Sequence, residues 1–228
     1  IFRIVEIIND TRHKFGRKGR FQQIKTDFLA GGTAVIVSAQ RKTSYLQQAV
    51  FAAGIKTGNI FLYRQGSRKG IEGEIQSLSD QLAPYGVQAR LLRRTERGSL
   101  VYVFRPERLT GVLAGDKVRG FLKDYGYSSF DTEDCIQWLS HRLRQGEDFP
   151  HEIGVFLDYP LEDIRGFIAN GGRGSKCVGC WKVYGDAQKA QATFRVYKSC
   201  TRKCLYKKGL GMDLEEIAAH YQRQSACV

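Results

Sequence analysis

Between Asn59 and Phe104 the apolar residues change period twice, and this constrains the fold more than any other feature of the chain. Ile60, Phe61, Leu62 and Tyr63 form an unbroken apolar run suited to a central strand. Ile71, Ile75, Leu78 and Leu82 then fall at i, i+4, i+7 and i+11, one stripe of a helix that must stop before Pro84 and Gly86. Residues 87–92 and 100–104 return to strand-like runs, joined by a turn over 95–98. The order strand–helix–strand–strand belongs to an α+β domain.

The second half reads as mostly helical. A short helix is expected over 116–125, and Asp131 is placed to cap another through 144 with Cys135, Leu139 and Leu143 on one face. Two short helices follow, 151–157 with Pro150 in its first turn and 161–169 just after Pro160. Glu162 and Asp163 suit the positive end of the latter, and Asn170, Gly171 and Gly172 stop it. Residues 181–184 read as a strand and 187–198 as a basic amphipathic helix. The expected architecture is α+β: a small mixed sheet of three to four strands, several short helices, and a helical C-terminal part that carries cysteines.

At 228 residues the chain can bury the core of one domain with appended segments. The net charge of +13 is uneven: residues 1–44 hold nine Lys/Arg against three acids, six of the thirteen charges. The chain opens on Ile1 and its sole methionine is Met212. Residues 1–44 are therefore read as a basic extension, flexible or foreign to the domain. The domain itself is placed at 45–208, with a helical tail over 209–228. No apolar run reaches the roughly 18 residues of a membrane span, and no secretory leader is visible. Six cysteines in such a chain point to reduced thiols or metal ligands in the cytoplasm.

Several stretches resemble a known family. Phe149-Pro-His-Glu-Ile-Gly-Val-Phe-Leu-Asp-Tyr-Pro-Leu-Glu-Asp-Ile-Arg-Gly-Phe-Ile168 is similar to the signature of the bacterial domain of unknown function 3793. Ala53-Gly-Ile-Lys-Thr-Gly-Asn-Ile-Phe61, Tyr102-Val-Phe-Arg-Pro106 and Cys177-Val-Gly-Cys-Trp-Lys-Val-Tyr184 match in the same order, followed by Cys200 and Cys204. The resemblance implies a cytosolic protein of anaerobic-type bacteria and brings no established activity. It also leads one to expect a His-Cys-Ala-Pro run where this chain has Gln47-Gln-Ala-Val50, and a glycine where it has Asp158.

Chemistry concentrates in Cys177-x2-Cys180 and Cys200-x3-Cys204. A C-x-x-C knuckle lets two thiolates reach one ion, with Gly179 permitting the turn, and an i, i+4 pair on a helix presents two more. Four thiolates suit zinc or an iron–sulfur cluster. Arg173, Lys176, Lys198, Arg202 and Lys203 lie around them in sequence and would favour the thiolate. A reversible dithiol and inert structural thiols are the alternatives. Cys135 reads as a core cysteine and Cys227 as an exposed terminal one, while His13, His141 and His220 show no partners. His151 and Glu152 are the weak catalytic candidates, an acid/base pair on one reading and a first-turn cap on the other.

Residues 152–170 have the apolar pattern of a helix-turn-helix, but Leu161, Glu162, Asp163 and Arg165 make an acidic recognition surface, so an ordinary helical hairpin is preferred. Gly54-Ile-Lys-Thr-Gly58 lacks the glycines of a phosphate loop. The functional expectation is a metal-binding or redox accessory protein using the four cysteines, with a redox or metal-handling protein partner and no membrane. The alternatives are a nucleic-acid or protein interaction module and an enzyme of unknown reaction, with nucleic acid the less favoured partner.

Overall fold

In the computed structural model the described residues are 55–63, 70–95, 98–145 and 150–212, together with Glu216 and Ala219. The expectations for residues 1–44, the turn tip 96–97, His13, His220, Cys227 and most of the 209–228 tail lie outside them.

Strand β3 (Gly98–Phe104) is the middle of a three-stranded sheet, flanked by β1 (Gly58–Tyr63) and β2 (Gln88–Thr95). Both pairings are antiparallel, so the sheet is not mixed. The run expected to be central is thus an outer strand. Helices cover both faces of the sheet, so an outer strand is as apolar as a middle one and its run cannot rank the two.

Side chains alternate across the strands. Phe61, Ala89, Val101 and Val103 meet Ile71, Ile75, Leu78 and Leu82 of α1 (Ile71–Leu82) on one face. Ile60, Leu92, Leu100, Tyr102 and Phe104 meet the helical side on the other. That side holds α2 (Pro106–Leu113), α3 (Asp116–Lys123), α4 (Thr132–Gln145), α5 (Ile153–Phe156) and α6 (Leu161–Ala169). The fold is α+β.

A bulge between Leu91 and Arg93 leaves Leu92 without a partner residue on β3, its side chain packed on the helical side. Its carbonyl accepts Ser140 Oγ–H at 2.6 Å and Arg144 Nε–H at 3.4 Å, which fastens α4 to the sheet. Asp131 caps α4 as expected, its Oδ1 accepting the amides of Glu133 and Asp134 at 2.8 and 3.4 Å. Helix α2 was not anticipated: Pro106 starts it, and Leu109 and Leu113, with half-buried Val112 beside them, fix it to the core.

The α5–α6 hairpin packs against the sheet through Ile153, Val155, Phe156, Leu157 and Ile164. A short hairpin, β4 (Cys177–Val178) and β5 (Lys182–Val183), then leads into α7 (Ala187–Gly209). Asp186 Oδ1 accepts the Lys189 amide at 3.0 Å and caps α7. Expected to end at Lys198, the helix runs to Gly209. No proline or glycine intervenes, and Ala190, Tyr197, Cys200 and Cys204 keep one buried stripe going. Among the described residues no helix is long and apolar enough to cross a membrane.

Candidate functional site

Hairpin β4–β5 and α7 form a third apolar cluster around Trp181, Val183, Ala190, Tyr197, Cys200 and Cys204, with Cys177 packed against it. Cys200 and Cys204 lie one turn apart on the inner face of α7, as an i, i+4 pair must. Cys180 instead is exposed at the hairpin turn. Among the described residues no group of three or more His, Cys, Asp or Glu side chains could hold a metal ion. Of the expected zinc or iron–sulfur ligand set, Cys177, Cys200 and Cys204 meet at this cluster, whereas Cys180 stands exposed at the turn. Gly179 is needed for a reason other than the one anticipated. Its φ is not positive, but a Cβ would overlap the Phe194 ring that closes the cluster.

Asp163 holds the hairpin in place. It is 3% exposed and accepts Trp181 Nε1–H at 2.7 Å on one oxygen, and the amides of Tyr184 and Gly185 at 2.7 and 2.8 Å on the other. Helix α6 thereby fixes the turn that carries Cys180. Trp181 also packs between Tyr159 and Phe194, with ring centroids 5.0 and 4.6 Å away.

Lys56 arrives at the same place from the other end of the chain. The Arg105 amide donates to Thr57 O at 2.9 Å, which continues the β1–β3 pairing to the residue after Lys56. Lys56 is 8% exposed, and its Nζ lies 5.3 Å from the centre of the Tyr159 ring. Burial lowers its pKa to about 8, against the opposing charges of Cys180 and Asp158. Partial desolvation raises the Cys180 thiol, and Lys56 and a backbone hydrogen bond oppose that rise. Burial also raises the phenols of Tyr159 and Tyr197, with Cys180 adding to both.

Asp158 completes the group. With φ at 64° it alone among the described non-glycine residues adopts the left-handed conformation, where the family resemblance led one to expect glycine. The cation acting on Cys180 is thus Lys56, and not Arg173, Lys176, Lys198, Arg202 or Lys203. The first four of these are exposed in common with Lys203, and Lys176 gives its Nζ–H to Gly185 O at 2.6 Å.

The weak catalytic candidates have other surroundings. Glu152 stands at the N-cap position of α5, but its side chain makes no capping hydrogen bond. Its side chain is fully buried, with Oε1 2.5 Å from Arg142 Nε and 3.5 Å from Tyr127 Oη. Burial raises its pKa against the pull of Arg142. His151 packs edge-on against Phe167, centroids 5.1 Å apart. Removing the buried charge should be mild and stranding it severe. By urea denaturation, Glu152→Gln is expected to stay within about 1 kcal/mol of the parent, and Arg142→Met to lose about 3 kcal/mol. Cys135 is the core thiol expected: fully buried, donating to Ser129 O at 3.3 Å, and pushed up to about 12 by burial.

The family model of DUF3793, described as a protein of unknown function, matches residues 45–218. The chain belongs to this family. No curated protein and no solved structure matches it. In this DUF3793 chain three stretches far apart in sequence meet at one point: Lys56 before β1, Asp158 and Tyr159 between α5 and α6, and Cys180 at the β4–β5 turn. Sequence reasoning passed over Lys56. A lone lysine between Ile55 and Thr57 reads as a surface residue, and the one available signal was that its segment resembled the family at all.

Proposed function

We propose that this DUF3793 protein is a thiol-dependent redox accessory protein in which Cys180 is the attacking thiol, Cys177 the resolving thiol and Lys56 the proton acceptor. The observation that carries the reading is the buried Lys56 amine held in the field of Cys180. A base with a pKa near the working pH, beside a protonated thiol, is the usual pairing of an activated nucleophile. Neutral Lys56 takes the thiol proton, and the resulting ammonium holds the thiolate.

The thiolate attacks a disulfide of a protein partner, forming a mixed disulfide and releasing one partner thiolate. Cys177 then displaces the second partner sulfur and closes a Cys177–Cys180 disulfide. Two electrons pass from the dithiol to the partner. Donating electrons requires the reduced dithiol, and an intracellular reducing setting is part of the proposal. The exposure of Cys180 at the turn, against the burial of Cys200 and Cys204, supports this reading over a metal centre.

The test is alkylation of Cys180 by iodoacetamide, followed by peptide mass. At pH near 7.5, Lys56→Met is expected to slow the reaction about tenfold, the equivalent of about one pKa unit. Lys56→Arg, which keeps the charge but cannot accept a proton, should recover little of that loss. Cys177→Ser should trap the mixed disulfide with an oxidised model peptide. A rate that is indifferent to Lys56, or a Cys177→Ser protein that accumulates no mixed disulfide, would contradict the assignment.

A further inference from the structure

We infer that the outer face of α7 binds single-stranded nucleic acid along its phosphate backbone. The helix holds seven lysines and arginines and no acidic residue, and it extends well past the end expected from sequence. Arg195, Lys198 and Arg202 stand at i, i+3 and i+7, and Tyr206 at i+11, so all four project from one face over about 16 Å. The three cations are exposed and Tyr206 is 70% exposed, opposite the stripe of Ala190, Tyr197, Cys200 and Cys204 that faces the core. No carboxylate among the described residues pairs with these three cations.

Cations in a row supply phosphate contacts, and an exposed tyrosine on the same line supplies a platform on which an unpaired base can stack. An anionic bilayer fits less well. The two exposed aliphatics of the helix, Val196 and Leu205, are nine residues apart, which sets them on opposite flanks of the basic row. There is no continuous apolar strip to enter a membrane. This face is separate from Lys56 and Cys180, so the inference stands or falls independently of the thiol reading.

The test is fluorescence anisotropy of labelled oligo(dT) and oligo(U) with the full chain, from about 50 to 200 mM salt. The logarithm of the association constant is expected to fall with log salt at a slope of about −2, the value for three phosphate contacts on a single strand. Arg195→Ser/Lys198→Ser/Arg202→Ser should abolish most of that slope and weaken binding at least tenfold. Tyr206→Ser should cost about tenfold with the slope unchanged, since stacking is lost and charge is not. Binding that survives the triple substitution would place the contact elsewhere on the basic chain and overturn the inference. So would tighter binding to duplex than to single strands, or to phosphatidylserine vesicles than to either.

Discussion

Replacing Lys56 by methionine is expected to make the protein more stable at pH 7. Burial pushes the amine down to about 8 from its ordinary 10.5. Between those values the unfolded chain binds more protons, so this group makes stability rise with pH from about 8 to 10.5. Below pH 8 the folded protein carries the full penalty of a buried ammonium, about 3 kcal/mol at 1.36 kcal/mol per unit. Methionine fills similar space without a charge. Urea denaturation should therefore show Lys56→Met more stable than the parent by up to about 3 kcal/mol at pH 7, the gap closing toward pH 10.5. The difference between the two proteins isolates Lys56 from the raised tyrosines. A substitution that stabilises the fold and slows Cys180 is what a residue kept for chemistry should show. Loss of stability at pH 7 would mean that the ammonium is well paired, and that Lys56 is structural.

Asp163→Ala should act in the opposite direction. Asp163 accepts three hydrogen bonds at 2.7 to 2.8 Å in a site that is 3% exposed. Its removal strands an indole N–H and two amides, at an expected loss of about 3 to 5 kcal/mol in denaturant midpoint analysis. The hairpin should loosen with it, shifting Trp181 emission to the red. Cys180 alkylation should lose its dependence on Lys56, because the turn no longer presents the thiol to the amine. A folded Asp163→Ala protein with Lys56-dependent alkylation would separate the pin from the site.

The sheet and most helices were legible because burial on one face leaves a period in the sequence. Ile71, Ile75, Leu78 and Leu82 gave α1 its start and end, and both were found. Strand order was not legible, since helices on both faces make β1 and β3 equally apolar. Helix α2 was missed because two leucines are too few to reveal a period. The end of α7 was missed because its last turns are so basic that they do not look amphipathic, although Cys204 is fully buried.

The site was legible only in part. Spacing placed Cys177 near Cys180 and Cys200 near Cys204, but it could not say which way each sulfur points. Packing sends Cys200 and Cys204 inward and leaves Cys180 at the turn. Glu152 resembled a first-turn cap because it opens α5, yet the core contact with Arg142 claims its side chain. Lys56 could not have been found locally. Its chemistry depends on Tyr159, Asp158 and Cys180, which only the tertiary fold brings to it.

The proposed thiol chemistry depends on the amine of Lys56, so its titration is the most direct test. NMR of protein labelled at the lysine Cε position, with Lys56→Met to assign the resonance, reports that amine alone. A pKa near 8 is expected, moving further down in Cys180→Ser because the thiolate that favours the ammonium is gone. A pKa near 10.5 that is unmoved by Cys180→Ser would contradict it.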